Sequence, residues 1–93
     1  MEIGFNPAKD AINLEQHGVS LAFGKNLFDD PDHVIIASFR PIDGEDRYKV
    51  IGKIDAKLWT AVHVYRNTVT WFISVRRSNL GEKRSYDSYS SGP

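Results

Sequence analysis

Two apolar runs separated by two residues constrain this chain most. Leu58 to Arg66 and Val69 to Arg77 are rich in Val, Thr, Tyr, Phe, Ile and Trp, residues that suit a pleated, half-buried surface. Asn67-Thr68 between them has the length that joins antiparallel strands into a hairpin. Ninety-three residues make one domain, with roughly 60–65% of the unfolded surface buried. Every other element has to pack on this hairpin or extend its sheet.

Glu2 to Phe5 is a candidate first strand. Asn6-Pro7 then opens a helix, with Asn6 as N-cap and Pro7 at the first helical position. Pro7, Ala8, Ala11, Ile12 and Leu14 form its apolar arc, with Lys9, Asp10, Asn13 and Gln16 opposite, and Gly18 as the left-handed stop. Ser20 starts a second helix that ends at Asp29-Asp30-Pro31, because the residue before proline is pushed out of the helical region. So short a connection predicts an αα-hairpin. His33–Phe39 and Arg47–Ile54 read as strands around a polar loop with turn chemistry at Asp43-Gly44. Asn79-x-x-Glu82 is a capping box for a last helix. The order β-α-α-β-β-β-β-α predicts an α+β fold, a mostly antiparallel sheet with the helix pair on one face. The domain is expected over residues 1–87, with a flexible Ser-rich tail at 88–93.

With a two-residue loop, Arg66 pairs with Val69, Val64 with Trp71 and Val62 with Ile73. That apolar face is expected under the helices. The other face then carries His63, Tyr65 and Ala61 beside Thr70, Phe72, Ser74 and Arg76. Rings, hydroxyls, an imidazole and a guanidinium on one surface suit single-stranded RNA, whose bases stack and whose phosphates pair with arginine. A three-residue loop would swap the faces of one strand. Arg76 and Arg77 point to opposite faces, and either can be the phosphate ligand. His63 is either a proton carrier or a strand residue bonded within the sheet. Lys83, Arg84 and Tyr86 on the last helix extend the basic surface, or are simply solvated.

Charge supports a local anion site. Net charge is zero, which argues against a general nucleic-acid binder. Residues 1–55 carry six Lys/Arg and ten Asp/Glu, whereas residues 56–93 carry six and two. The second half is therefore the electropositive one. No apolar run reaches the roughly 20 residues of a membrane span, and no basic-then-apolar leader opens the chain. With no cysteine and three scattered histidines, no metal site and no cofactor are expected.

The same residues carry a family resemblance. Phe5-Asn6-Pro7-Ala8-Lys9, Asn13-Leu14, His17-Gly18-Val19-Ser20 and Phe28-Asp29-Asp30-Pro31 resemble the BrnT toxin family. So do Gly44-Glu45-Asp46-Arg47-Tyr48 with Ile51-Gly52, Val62-His63 with Arg66, Ile73 to Arg77, and Glu82-Lys83-Arg84 with Tyr86. Asn6 stands where the family usually has Asp, and Phe5 where Trp is common. The resemblance implies a RelE-like fold and a type II ribonuclease toxin that inhibits translation. It also implies bacterial, cytoplasmic residence and a BrnA-like antitoxin with a ribbon-helix-helix domain. The two would form a heterotetramer that reaches operator DNA only through the antitoxin. On this reading Arg66, Arg76, Arg77, His63 and Tyr86 serve catalysis, while Lys9, Tyr65, Phe72, Lys83 and Arg84 bind RNA. An RNA 2′-hydroxyl supplies the nucleophile without a metal. The rival reading is a non-catalytic interaction protein whose arginine surface docks an acidic partner segment.

Overall fold

The hairpin closes through the two-residue loop: Arg66 pairs with Val69, Tyr65 with Thr70 and Val64 with Trp71. The computed structural model describes residues 1–90, of which Ser90 only as backbone. It forms one five-stranded sheet in the order β1-β5-β4-β3-β2. The strands are β1 (Glu2–Gly4), β2 (Val34–Ala37), β3 (Tyr48–Ile54), β4 (Lys57–Arg66) and β5 (Val69–Arg77). Only β1 is parallel to its neighbour, β5. Helices α1 (Pro7–His17) and α2 (Leu80–Ser90), a 3-10 helix (Leu21–Asp29) and a short 3-10 turn (Pro41–Asp43) complete the expected α+β class. α2 takes in Ser88–Ser90, the start of the expected tail, and residues 91–93 lie outside the described residues.

The caps of α1 and α2 form as their sequence predicts. Asn6 Oδ1 accepts from the N–H groups of Ala8 and Lys9 at 2.9 and 3.2 Å, and Gly18, at φ 75°, donates to Leu14 O. Asn79 and Glu82 exchange reciprocal bonds of 2.9 Å, a complete capping box.

Three expectations need correction. The second helix is 3-10 rather than α. Its buried residues are Leu21, Gly24 and Leu27, and a spacing of three eclipses them on one face at three residues per turn. Ser20 makes no side-chain cap; Leu21 N–H donates instead to Asp10 Oδ1 at 2.7 Å.

α1 turns the opposite face to the sheet from the one its apolar arc predicts. Ile12 and Leu14 are exposed, whereas Asn13 is buried. The reason is a backbone debt at the sheet edge. β1 covers β5 only as far as Trp71. Further along, Asn13 takes the place of a strand: its Oδ1 accepts from Val75 N–H at 3.0 Å, and its Nδ2 donates to Val75 O at 2.9 Å. Buried backbone groups require partners.

The third correction concerns the hairpin faces. Beyond His63↔Phe72 the register shifts, so that Val62 faces Ser74, Ala61 faces Val75 and Thr60 faces Arg76. Ile73 is the extra residue of a β-bulge. The bulge brings Val75, not Arg76, onto the face of Phe72. That face becomes the core, where Phe72, Ala61, Val75 and Val50 are buried with Leu21 and Leu27. The 3-10 helix lies on it, opposite to the expectation. Two glycines let it approach: a Cβ on Gly24 would meet Phe72 Cε1 at 2.7 Å, and one on Gly52 would meet Leu27 O at 2.7 Å. α2 packs across β2 and β3 on the other face.

The β3–β4 turn yields the first prediction. Ile54 pairs with Lys57, and both loop residues have positive φ, 50° at Asp55 and 66° at Ala56. This is the turn that favours glycine at its second position. Left-handed backbone costs a non-glycine residue about 1–2 kcal/mol, part of it offset by glycine's greater unfolded-state entropy. Ala56→Gly should therefore raise the midpoint of a thermal melt by a few degrees.

Candidate active site

The hairpin separates the arginines that the sequence gathers. Arg66 sits at the tip beside Val69, while Arg77 closes the far end of β5 opposite Trp59. The strand between Val69 and Arg77 spans roughly 25 Å at about 3.3 Å per residue. Arg66 and the Arg76-Arg77 pair therefore cannot hold one phosphate, and they belong to two distinct polar clusters.

The far cluster is closed around Glu82, which is buried. Its carboxylate accepts from Arg76 Nη1 and Nη2 at 2.7 and 2.8 Å and from Thr60 Oγ1 at 3.0 Å. It also accepts from Asn79 N–H at 2.9 Å, and Lys49 Nζ lies 3.1 Å away. Ser78 Oγ is 2.8 Å from Thr60 Oγ1 and extends the network. Burial by itself would raise the Glu82 pKa, but the bonds from Arg76, Asn79 and Lys49 outweigh it and bring the value down to about 2. Glu82 thus does more than cap: it joins α2 to β3, β4 and β5. Arg77 points to the other face, over the Trp59 ring at 5.5 Å, and donates to Leu58 O.

The near cluster lines an open cleft of about 200 Å³ at the hairpin tip, formed by Asn6, Lys9, Glu45, Arg47, Arg66, Trp71, Phe72 and Ile73. α1 supplies Lys9, the loop before β3 supplies Glu45 and Arg47, and the hairpin supplies Arg66 and Trp71. Arg66 donates bidentately to Glu45 at 2.9 and 2.8 Å. Its guanidinium lies 4.7 Å over the Trp71 ring. The Arg66 hydrogen bonds lower the pKa of Glu45, which stays ionised. Arg47 also reaches Asp43 at 3.3 Å. The lining holds three cations and one carboxylate, a net positive surface open to solvent.

Several expected site residues are buried in the fold, Phe72 among them although it borders the cleft. His63 is fully buried; its Nε2 is 3.1 Å from Tyr65 Oη and its Nδ1 3.3 Å from Ala61 O. Burial lowers its pKa, so the ring is neutral. Phe72 is buried under the 3-10 helix. Tyr86 is buried and donates to Asp30 Oδ2 at 2.8 Å; burial, then that carboxylate, pushes its hydroxyl pKa far up. None of these three presents a working group to the cleft. Lys83 and Arg84 are exposed on α2.

Glu45 was not expected in a site, although the register could have found it. The β3–β4 pairing sets Tyr48 opposite His63; continued by three residues, it sets Glu45 opposite Arg66. The same rule puts Arg47 opposite Val64, whose other neighbour is Trp71.

A family model described as the ribonuclease toxin BrnT of a type II toxin–antitoxin system matches residues 5–82. The chain belongs to the BrnT family. It is accordingly a ribonuclease toxin, and BrnT membership implies a cognate antitoxin. No curated protein matches the chain. Among the described residues, no helix is long and apolar enough to cross a membrane.

The Glu82 cluster predicts acid sensitivity. A carboxylate whose pKa falls on folding, here from an ordinary 4.5 to about 2, contributes stability above its unfolded value. The contribution disappears as pH falls through the folded one. Glu82→Gln should cost on the order of 3 kcal/mol near neutrality. In denaturant melts the gap to wild type should close as pH drops through that window; a gap independent of pH would contradict the assignment.

Proposed function

We propose that the Lys9, Glu45, Arg47, Arg66 cleft is where this BrnT protein cleaves RNA, without a metal, by intramolecular phosphoryl transfer. The observation that carries the reading is the bidentate Arg66–Glu45 pair in a solvent-open cleft with two further cations. A guanidinium that can hold two carboxylate oxygens can equally hold two phosphate oxygens.

In this mechanism the scissile phosphate takes Arg66 from Glu45 and is flanked by Lys9 and Arg47. The freed carboxylate then accepts the proton of the adjacent 2′-hydroxyl. As O2′ bonds to phosphorus, the P–O5′ bond breaks, leaving a 2′,3′-cyclic phosphate. The departing oxygen takes a proton from Lys9 or water and leaves as a 5′-hydroxyl. The cations stabilise the charge that grows on the phosphoryl oxygens, where fixed donors act most strongly. The enzyme supplies no nucleophile; its contribution is positioning and charge. Arg76 and Arg77, at the other end of β5, act in this reading on neighbouring phosphates or on α2, with Lys83 and Arg84 beside them on the surface. His63 and Tyr86 hold structure rather than carry protons.

The partner belongs to the same proposal. A BrnA-like antitoxin with a ribbon-helix-helix domain would cover the cleft in a cytoplasmic heterotetramer, and only the antitoxin would touch operator DNA. Family membership supports this part.

Arg66→Ala and Glu45→Gln should each lower the RNA cleavage rate of the isolated chain by about 10²–10³-fold and relieve growth arrest. Wild-type products should carry cyclic phosphate ends. RNA left intact by folded wild type, or cut equally by both variants, would sink the assignment.

A further inference from the structure

On the opposite side of the same sheet end lies an aromatic surface that the cleft does not use. Phe39 follows β2, Tyr48 begins β3 and Tyr65 nears the end of β4. Their rings are contiguous: Phe39 meets Tyr48 edge-on at 5.3 Å and 87°, and Tyr48 meets Tyr65 at 5.4 Å and 56°. Phe39 is 53% and Tyr65 49% exposed, so about half of each residue remains open to solvent. The ledge is also held in place. Ser38 N–H donates to Arg47 O at 2.8 Å, fixing the Phe39 segment beside β3. Buried His63 stacks near Tyr48 and fixes the Tyr65 hydroxyl from behind.

Strand alternation ties this ledge to the cleft. Arg47 precedes Tyr48 and Arg66 follows Tyr65, and consecutive strand residues point to opposite faces. β4 thus carries a ring on one face and a guanidinium on the other, and Arg47, on the loop that enters β3, precedes Tyr48 in the same way. From these juxtaposed surfaces we infer that Phe39, Tyr48 and Tyr65 form a stacking ledge for unpaired bases of single-stranded RNA whose phosphates occupy the Lys9–Arg47–Arg66 cleft. The inference rests on the ribonuclease reading of that cleft. A polynucleotide has the matching chemistry, anionic along its backbone and flat and apolar at its bases. Only a single strand can turn its bases out onto rings, since duplex RNA keeps them paired inside. The ledge accordingly selects unpaired RNA next to the cut.

The test is binding of a fluorescent, non-cleavable 2′-O-methyl RNA single strand, with a duplex and an abasic strand of equal length as the other arms. Phe39→Ala and Tyr65→Ala should each raise the single-strand Kd roughly tenfold and leave the duplex Kd unchanged. Neither should add to the weak binding of the abasic strand. Both side chains are half-exposed, so the variants should fold; matching circular dichroism and melting curves check this. An unchanged single-strand Kd, no binding by wild type, or an equal loss on duplex overturns the ledge. The first result would assign the rings to a protein partner instead. Failures of the two readings are separable. Arg66-dependent cleavage with an unchanged Kd rejects the ledge alone. A ledge-dependent Kd with cleavage indifferent to Arg66→Ala rejects only the cleft chemistry.

Discussion

One extra residue in β5 organises this molecule. The bulge at Ile73 reverses the facing of everything after it, so that Phe72 and Val75 share a face and Arg76 leaves it. A regular strand would place Arg76 two pairs along from Phe72, in the middle of the core, where an ion needs a partner or has to be excluded. With the bulge, Arg76 emerges beside Thr60 and Lys49 and meets Glu82. The core face is then apolar enough for a 3-10 helix bearing Leu21 and Leu27 to close on it.

The two arginine–carboxylate pairs show how burial divides the same chemistry between a closed structural tie and an open, exchangeable contact. Both are bidentate with similar distances. Glu82 is enclosed, saturated with donors, and tied to three strands and its own cap, so displacing Arg76 from it would strand a buried charge. Glu45 is exposed and bonded to one guanidinium, and solvent stands ready to replace that partner. Exposed pairs are worth little, which makes the second one easy for a phosphate to open.

Sequence carried the strands, the caps and the fold class because each is written locally: Asn6-Pro7, Gly18, Asn79-x-x-Glu82 and the Val/Ile/Trp runs. It failed where a residue answers to something distant. Asn13 looked like a solvent-facing position because nothing near it in the chain reveals that Val75, paired with Ala61 on one side, has no strand on its other side. Ile73 looked regular because a bulge has no fixed composition. His63, Phe72 and Arg76 were grouped by parity, and one bulge broke the parity. The Arg66–Glu45 pair was reachable, but only by carrying strand register past the end of β3.

The parallel seat of β1 beside β5, reinforced by Asn13 on Val75 62 positions away, has a temporal consequence. β1 must wait for the last strand before its backbone groups are paired, and the Asn13 side chain must wait for Val75. Long-range pairing of this sort delays folding, and during synthesis it withholds the native sheet until β5 has left the ribosome. Lys9 and Arg66 meet only at that point. The cleft that Lys9 and Arg66 line is therefore among the last features of the molecule to exist.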